Sequence, residues 1–139
     1  LIRKGDGHFV AVQPEESVWL YARWSGVSSD HILKANHLGR RSKPRLNQVL
    51  EIPIPPERVG AFNADRNQYH DDIRSRFFAR NEVYQTVEHR VTRGESVWVL
   101  CYRVYDIPVW LLRLFNNGFD WDRLTIGAKL IIPIVRQPT

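Results

Sequence analysis

The sequence contains little cysteine and no long hydrophobic stretch, and these absences exclude several classes of protein. A single cysteine among 139 residues cannot form an internal disulfide, and it cannot hold zinc without several partner ligands. The five histidines show no metal-binding spacing, so we expect no metal site and no cofactor. An apolar run at 97–102 stops at Arg103, well short of the roughly 18 residues of a membrane helix, so no membrane span is expected.

The composition is that of an ordinary globular chain with a surplus of positive charge. Hydrophobic residues make up 43% and charged residues 25% of the sequence, which argues against disorder over the whole chain. The net charge of +5 leaves nucleic acid, anionic lipid and acidic cell-wall polymer open as partners. Because the first residue is Leu1 rather than Met, we expect the chain to be a piece of a longer protein.

The sequence contains an internal repeat. The tetrapeptide Glu-Ser-Val-Trp stands at 16–19 and again at 95–98, an offset of 79 residues. Further along, Leu-Glu-Ile-Pro-Ile at 50–54 corresponds to Leu-Ile-Ile-Pro-Ile at 130–134, an offset of 80 residues. Matches in the same order and at nearly constant offset indicate an internal duplication.

The change of offset predicts one extra residue in the second copy. Asn36 and Asn116 already share the larger offset of 80, so the insertion comes before them and after the matched tetrapeptides. We expect it in the turn between two predicted helices, where residues 25–27 of the first copy align with residues 104–107 of the second.

Each copy begins with the pattern of a strand followed by a short helix. In the first copy a β-branched and aromatic run at 8–12 predicts the strand, and Ser17 is suited to cap the helix. Trp19 and Ala22 then fall at helical spacing on what we take as the buried face. Gly26 is expected to end the helix, because glycine adopts positive φ freely.

A second helix and a second strand complete each copy. Ser28 or Ser29 is expected to cap the second helix of the first copy, with Ile32 on its buried face. In the second copy Pro108 suits the first helical position, and Leu112 is predicted to be buried. The closing strands are predicted at 49–52 and 129–132. The sequence therefore predicts an α+β fold made of two small βααβ units.

The pattern divides the chain into a first repeat at 8–54, a helical connecting segment at 55–85 and a second repeat at 86–135. The connecting segment carries large side chains at three- and four-residue steps, which is typical of an amphipathic helix. Because it is rich in aromatics, we expect a docked helix that holds the two copies in a fixed relation, and not a loose linker. The periodic positions are Val59, Phe62, Arg66, Tyr69, Ile73 and Phe77.

The repeat resembles the lysin motif (LysM). In that family the pattern begins with Gly-Asp-Thr-Leu-Trp, passes through an asparagine and ends with Gly-Gln-x-Leu-x-Ile-Pro. The second copy follows it with Gly-Glu-Ser-Val-Trp at 94–98, Asn116, and Gly-Ala-Lys-Leu-Ile-Ile-Pro at 127–133. The first copy departs further, because Glu15 stands where glycine is usual and Asn47 replaces the glycine before the last strand. We therefore expect the second copy to carry most of the affinity.

The resemblance implies a βααβ fold and a function. It implies non-catalytic binding of glycans that contain N-acetylglucosamine, with peptidoglycan or a chitin-type oligosaccharide as partner. Pairs of such motifs are also similar to the C-terminal regions of bacterial lytic murein transglycosylases, which implies an upstream catalytic domain in the same polypeptide. The implied location is the cell envelope, either periplasmic or extracellular.

The resemblance also implies a shallow groove between the first strand-to-helix loop and the loop after the second helix. Gly94 would let the backbone approach a sugar closely, and the turn dipeptide Asn117–Gly118 could present backbone groups outward. Phe119 or Trp121 could supply a flat apolar wall. In the second copy the candidate residues are Gly94, Glu95, Ser96, Val97, Asn116, Asn117, Gly118, Phe119, Trp121 and Leu124; in the first copy they are Glu16, Ser17, Val18, Asn36, His37 and Leu38.

Several of these residues also have a purely structural interpretation. Trp19 and Trp98 are predicted to be core residues, since each lies within a first helix. Asn36 and Asn116 could equally cap the end of a helix or contact a sugar. Cys101 aligns with Ala22, so we interpret it as a packed, inert thiol.

Other functions are weighed against glycan binding. Carboxylate pairs at 15–16 and at 120 and 122 could suggest a glycosidase, but neither lies in a predicted deep cleft, and no catalytic residue is expected. A basic loop at 39–45 and arginines on the connecting helix keep nucleic acid as a less favoured alternative. A structural adaptor that binds no glycan is the third possibility.

Overall fold

The computed structural model describes residues 1–118 and 124–138, and it has the mixed α+β architecture that the sequence predicts. By contacts the chain divides into two units, Leu1–Arg74 and Ser75–Thr139. This division falls inside the long helix of the connecting segment. The repeat boundaries at 54/55 and 85/86, which rest on sequence pattern, stay predictions.

The first unit is built on a three-stranded antiparallel sheet. Its strands are β1 (Ile2–Lys4), β2 (Gly7–Ala11) and β3 (Val49–Ile52), with β2 in the middle. Strands β2 and β3 agree with the predicted ones to within a residue. The sequence reasoning missed β1, which turns back onto β2 through Gly5 at φ +61°.

Helix α1 (Val18–Ser25) has the predicted ends. The Ser17 hydroxyl accepts a hydrogen bond from the backbone N–H of Leu20 at 3.3 Å, which satisfies one of the unpaired donors of the first turn. Gly26 ends the helix at φ +76°, and its N–H donates to the carbonyl of Ala22 at 2.9 Å.

Helix α2 (Ser29–Ala35) is capped in the same way. The Ser28 hydroxyl accepts from the backbone N–H of His31 at 3.1 Å, and Asn36 forms the C-cap. Of the two serines offered as caps, Ser28 is the one used.

The buried face of α1 differs from the predicted one. Tyr21 and Trp24 are buried with Val18, whereas Trp19 is 63% exposed. The corresponding Trp98 of the second copy is 55% exposed. The prediction that both tryptophans belong to the core is therefore wrong. The buried positions 18, 21 and 24 follow one another at three-residue steps, and this phase turns position 19 toward solvent.

The connecting segment is helical as far as Arg80, as predicted, whereas its last residues, 82–85, belong to a strand. A 3₁₀ turn at Pro56–Arg58 leads into helix α3 (Val59–Arg80). Phe62 of α3 is fully buried; its ring stacks on Tyr21 at 6.2 Å between centroids and meets Trp24 edge-on at 5.7 Å. The prediction of docking is thus confirmed for the first copy. The end of α3 belongs to the second unit, where Phe77 meets Trp110 edge-on with 5.1 Å between centroids. The fixed relation between copies stays a prediction. The core of the first unit comprises Val10, Val12, Val18, Leu20, Tyr21, Trp24, Ile32, Leu33, Leu50, Ile52, Ile54 and Phe62.

The second unit contains a two-stranded antiparallel sheet formed by β4 (Glu82–Arg90) and β5 (Lys129–Arg136). The register shifts between Val83 and Gln85, which marks a bulge in β4. Strand β5 starts where the sequence predicts it and continues four residues further.

The extra residue of the second copy lies within its first helix and not in the turn after it. Helix α4 (Val97–Val99) continues directly into a π-helical turn, Leu100–Val104. The N–H of Tyr105 donates to the carbonyl of Leu100 at 3.0 Å, a step of five residues. A π turn is the form that an α-helix takes when it absorbs one inserted residue. The predicted place of the insertion, at 104–107, is therefore corrected to 100–104.

Helix α5 (Val109–Leu114) follows Pro108, which occupies the position just before the first helical residue. Leu112 and Cys101 are fully buried, as predicted. Burial raises the pKa of the Cys101 thiol to about 12, so the thiol stays protonated and unreactive. The apolar core of this unit comprises Val91, Val97, Leu100, Cys101, Ile107, Val109, Leu111, Leu112, Leu130 and Ile132.

Candidate functional site

In the second copy the two candidate loops start from the same end of the sheet. Arg90, the last residue of β4, pairs with Lys129, the first residue of β5. Beyond this pair the N–H of Val91 donates to Ala128 at 2.9 Å, and the N–H of Gly127 donates to Val91 at 2.8 Å. The loop before α4 and the loop after α5 are therefore tied together at their base.

The first copy repeats this arrangement. Ala11 pairs with Val49 at the corresponding end of β2 and β3. The N–H of Val12 donates to the carbonyl of Gln48 at 2.9 Å, and the N–H of Asn47 donates back to Val12 at 2.8 Å. Both copies thus hold their candidate loops by the same pair of backbone hydrogen bonds.

The backbone of the first copy keeps the left-handed turns at the two positions where it lacks glycine. Glu15 has φ +71° where Gly94 has +83°, and Asn47 has φ +65° where Gly127 has +86°. A Cβ placed on Gly94 would meet no heavy atom within 4 Å, so the backbone there is open to an approaching ligand. Glu15 presents a side chain at the equivalent point.

Glu16 of the first copy lies in a buried ion-pair cluster. Its fully buried carboxylate accepts from Arg66 Nε at 2.6 Å and from the Tyr21 hydroxyl at 2.6 Å, and lies 2.7 Å from His70 Nε2. Burial is the largest influence and would raise the pKa of Glu16, but the hydrogen bonds of His70, Arg66 and Tyr21 together lower it to about 2. The side chain therefore fastens α3 to the first copy and is not available to a ligand, and the backbone N–H of Glu16 donates to the carbonyl of Gln13 at 3.2 Å.

Glu95, at the equivalent position of the second copy, has different partners. Its carboxylate accepts from the N–H of Thr92 at 2.6 Å and lies 2.9 Å from His89 Nε2. The other ring nitrogen of His89 is 2.7 Å from the Tyr105 hydroxyl. The hydrogen bonds from Thr92 and His89 lower the pKa of Glu95. This carboxylate holds its own loop to strand β4.

The next two candidate positions are structural in both copies. The Ser96 hydroxyl accepts from the N–H of Val99 at 3.2 Å and caps α4, as Ser17 caps α1. Val18 and Val97 are buried in the two cores. At these positions the side chains are therefore occupied by capping and packing in both copies.

Asn36 and Asn116 join the end of a helix to the middle of a strand. The Asn36 amide donates to the carbonyls of Ile32 and Glu51, both at 2.8 Å, and accepts from the N–H of Glu51 at 2.7 Å. Asn116 makes the same three bonds, to Leu112 and Ile131. Both asparagine side chains thus bond the last turn of a helix, which is one of the two roles expected for them, and contact with a sugar stays a prediction.

His37 and Leu38 follow α2 in the first copy. His37 is exposed and has φ +55°, whereas Leu38 is half-buried against the core. Leu38 also lines a small cavity of about 220 Å³ together with Lys34 and Arg40. This cavity therefore adjoins the loop after α2.

The loop after α5 is described only in part. Asn117 and Gly118 are exposed, and Gly118 has φ +87° with no heavy atom within 4 Å of an added Cβ. Leu124 is half-buried. Phe119 and Trp121, the two candidates for an apolar wall, lie outside the described residues, as do the carboxylates at 120 and 122.

The sequence model of the LysM domain matches residues 10–53 and 89–133, more than half of the chain. The chain belongs to the LysM domain family. LysM domains are binding modules for peptidoglycan and N-acetylglucosamine, and they are not catalytic. The tandem arrangement agrees with the duplication read from the sequence.

No curated protein sequence matches the chain. Solved structures similar to it include the spore cortex-lytic enzymes SleL of Bacillus cereus (20% identity, TM-score 0.35) and of Bacillus megaterium QM B1551 (17% identity, TM-score 0.33). These alignments cover 92% and 94% of this chain, which spans 23% of the length of each enzyme.

Each LysM copy also exposes an aromatic surface that the sequence reasoning missed. The Arg23 guanidinium carbon lies 5.7 Å from the centroid of the exposed Trp19 ring. In the second copy Trp98 stacks on Tyr102, with 5.0 Å between centroids and 16° between ring planes. The partner in both cases is the residue four positions on, at one turn of the helix. The spacing of apolar residues in the sequence did not fix the helical phase that exposes this face, because α1 is only eight residues long.

The described part of the chain contains neither a metal-binding cluster nor a membrane-spanning helix. Residues 1–118 and 124–138 contain no group of three or more histidine, cysteine or acidic side chains arranged to hold a metal ion. Within the same ranges no helix combines the length and apolarity that crossing a bilayer requires.

Proposed function

We propose that this chain is a non-catalytic module that binds N-acetylglucosamine-containing glycan, peptidoglycan or chitin, through the paired loops of its LysM copies. The observation that carries the proposal is the family match together with two loops joined at one end of each sheet. An N-acetylated sugar offers an amide donor and acceptor, and an open loop backbone offers the complementary groups.

The loop backbone supports this proposal better than the side chains do. Glu95 and Ser96 use their side chains within the loop, whereas Gly94, Asn117 and Gly118 are exposed. Backbone N–H and C=O groups at these exposed positions would form most contacts, with Phe119, Trp121 and Leu124 as the proposed apolar wall. In the first copy the same role falls to the backbone at 16–18 and to the residues after α2.

We further propose that the second copy carries most of the affinity. Gly94 leaves its loop open, whereas Glu15 places a side chain at the same point of the first copy. A shallow site of this kind binds with Kd values in the micromolar to millimolar range, or about −4 to −8 kcal/mol.

The biological role that fits such a module is targeting. We propose that it directs a larger protein, such as a murein-cleaving lytic enzyme, to the cell wall, with the catalytic domain elsewhere in the same polypeptide. The site of action would then be the cell envelope, in the periplasm or outside the cell.

The test is a titration of the chain with an N-acetylated chitooligosaccharide, followed by NMR. We expect the amide signals of 94–97, 116–118 and 124 to shift more than their counterparts at 15–18 and 36–38. Larger shifts in the first copy would reverse the assignment between copies. A complete absence of shifts, together with no retention on purified peptidoglycan, would favour the adaptor role.

Binding to an anionic polymer is kept as the second candidate, because Arg40, Arg41, Lys43 and Arg45 form an exposed basic loop. Such binding depends on released counterions and falls steeply with salt, whereas glycan recognition does not. We expect the amount of protein pulled down with peptidoglycan to change little when salt is raised from about 50 to about 200 mM. Retention on heparin that exceeds retention on peptidoglycan would favour the second candidate.

A further inference from the structure

Helices α1 and α3 line an open groove in the first unit. Its volume is about 680 Å³, and its α3 wall includes Asp65, Gln68 and Asp72. Helix α3 lies outside the residues that match the LysM domain, so the repeat alone does not form this groove. The opposite wall carries the exposed Trp19 and, beside it, Arg23.

Buried contacts hold the base of the groove in place. The ring of Tyr69 meets the buried Trp24 edge-on with 5.4 Å between centroids, and its hydroxyl donates to the carbonyl of Glu15 at 2.7 Å. The Glu16 ion pairs fasten the same stretch of α3 to the loop before α1. The groove is therefore preformed, which lowers the entropy cost of binding.

An exposed indole beside hydrogen-bonding side chains suits a pyranose ring. Trp19 offers a flat apolar face on which the C–H groups of a sugar can stack. At its sides Gln68 Nε2 donates to Asp72 at 2.8 Å and keeps its amide oxygen as an acceptor, and the Ser17 hydroxyl, which accepts from Leu20, keeps its proton as a donor. Glu15 and Ser17 belong to the loop before α1 as well as to the groove. A glycan that contacts this loop could therefore continue into the groove.

The charges of the groove select the kind of sugar. Glu15, Asp65 and Asp72 place exposed carboxylates around it, against the single cation of Arg23, in a chain whose net charge is +5. The indole face already has the Arg23 guanidinium 5.7 Å from its centroid, so a cation is compatible with it. These charges disfavour an anionic sugar and favour one that carries an ammonium group.

We propose that this groove is a second carbohydrate subsite, which binds a hexosamine with a free amino group. The sugar ring stacks on Trp19, and its ammonium group faces Asp65 and Asp72. This inference rests on the chain being a glycan-binding module, but it concerns another surface and another chemical form of the sugar than the N-acetylated units proposed for the loops.

The test compares two oligosaccharides of equal length, a glucosamine tetramer and its fully N-acetylated counterpart. We expect the glucosamine tetramer to shift the Trp19 indole and the amides of Asp65 and Asp72, and the N-acetylated tetramer to shift the loop amides instead. Affinity for the glucosamine tetramer should fall as salt is raised, because exposed charges supply part of it.

Substitutions define the groove. Trp19→Ala is expected to weaken glucosamine binding about ten-fold, and Asp65→Asn about two- to five-fold, as for an exposed charge pair. Arg23→Gln removes a competing cation and should strengthen binding by a similar two- to five-fold. Trp98→Ala is the matched control, since it removes the equivalent exposed indole of the second copy and should change nothing. Circular dichroism of each variant verifies the fold.

Two results would overturn the proposal: equal shifts in the groove with both tetramers, or glucosamine binding that survives Trp19→Ala unchanged. The outcomes for the two sites are separable. Loop shifts with the N-acetylated tetramer and none in the groove with glucosamine would refute the subsite and leave the proposed function intact. Groove shifts with the glucosamine tetramer, and no loop shifts with the N-acetylated one, would support the subsite and refute the proposed loop site.

Discussion

The two LysM copies place a glutamate at the same point of the motif and use it differently. Glu16 is fully buried and pairs with Arg66 and His70 of α3, whereas Glu95 is partly exposed and pairs with His89 of its own strand β4. The motif therefore fixes the position of the carboxylate and leaves its partners open. In the first copy that freedom is used to attach a helix from outside the motif.

The cores of the two copies also differ, because α3 contributes a buried side chain to the first one. Phe62 of α3 adds a buried ring to the aromatic cluster of Tyr21 and Trp24 in the first unit. Among the described residues of the second copy, the buried hydrophobic side chains are aliphatic apart from Cys101, and they include the fully buried Leu111 and Leu112. A repeat of about 45 residues is close to the lower size limit for an independent core, so such additions matter.

Leu112→Ala should give the largest loss of stability. It empties a fully buried position of the second copy, and we expect a cost of about 2–5 kcal/mol and loss of folded signals there. Ile32→Ala, at the equivalent buried position of the first copy, should be tolerated better because Phe62 and its neighbours enlarge that core. Thermal unfolding of both variants tests this, with the exposed Leu114→Ala as control. Equal losses in the two copies would show that α3 adds nothing.

Acid should destabilise the first unit more than the second. The pKa of Glu16 is lowered from 4.5 to about 2, so its carboxylate contributes about 3 kcal/mol above pH 4.5, and this contribution is lost as pH falls through about 2. Amide signals of Leu50 and Leu130, followed by NMR during acid titration, report on the two units separately. The second unit losing its signals first would contradict the expected order.

Glu16→Gln tests the buried cluster directly. The variant keeps the size of the side chain but leaves the Arg66 guanidinium without its carboxylate, and we expect a cost of about 2–3 kcal/mol. The matched Glu95→Gln should cost less than about 1 kcal/mol, because that pair is more exposed to water. Urea denaturation measures both. A similar cost for the two variants would mean that α3 is held mainly by its aromatic contacts.

Exchanging the residues of the first left-handed turn should have the smallest effect on stability and a clear effect on binding. Gly94→Glu introduces a side chain at φ +83° and is expected to cost about 1 kcal/mol and to weaken glycan binding by the second copy. Glu15→Gly should be nearly neutral in stability and should improve binding by the first copy. NMR titration of each variant decides; unchanged shifts in both would remove this turn from the proposed site.

Local chemistry explains what the sequence could predict. The caps at Ser17 and Ser28 and the helix end at Gly26 depend on hydrogen bonds within a few residues, and all three are observed. The burial of Cys101 followed from its alignment with Ala22, and that of Leu112 from its place on the second helix after Pro108. Such features need no knowledge of what lies across the fold.

The misses have a common cause. The exposure of Trp19 depends on the phase of a helix only eight residues long, in which the motif alone cannot decide between two neighbouring faces. The burial of the Glu16 carboxylate depends on Arg66, which is 50 residues away in the chain. The π turn at 100–104 depends on which turn of a helix accommodates one more residue. Each is set by tertiary contacts that periodicity does not encode.

The asparagine at the end of the second helix has a consequence for solubility. Strand β3 is at the edge of its sheet, where unpaired backbone groups invite the addition of a strand from another molecule. The side-chain amide of Asn36 takes both the N–H and the C=O of Glu51, much as a neighbouring peptide group would. Asn116 does the same for Ile131 of β5. Each copy thus covers one position on one edge of its sheet with a single amide, which disfavours the addition of a strand from another molecule at that point.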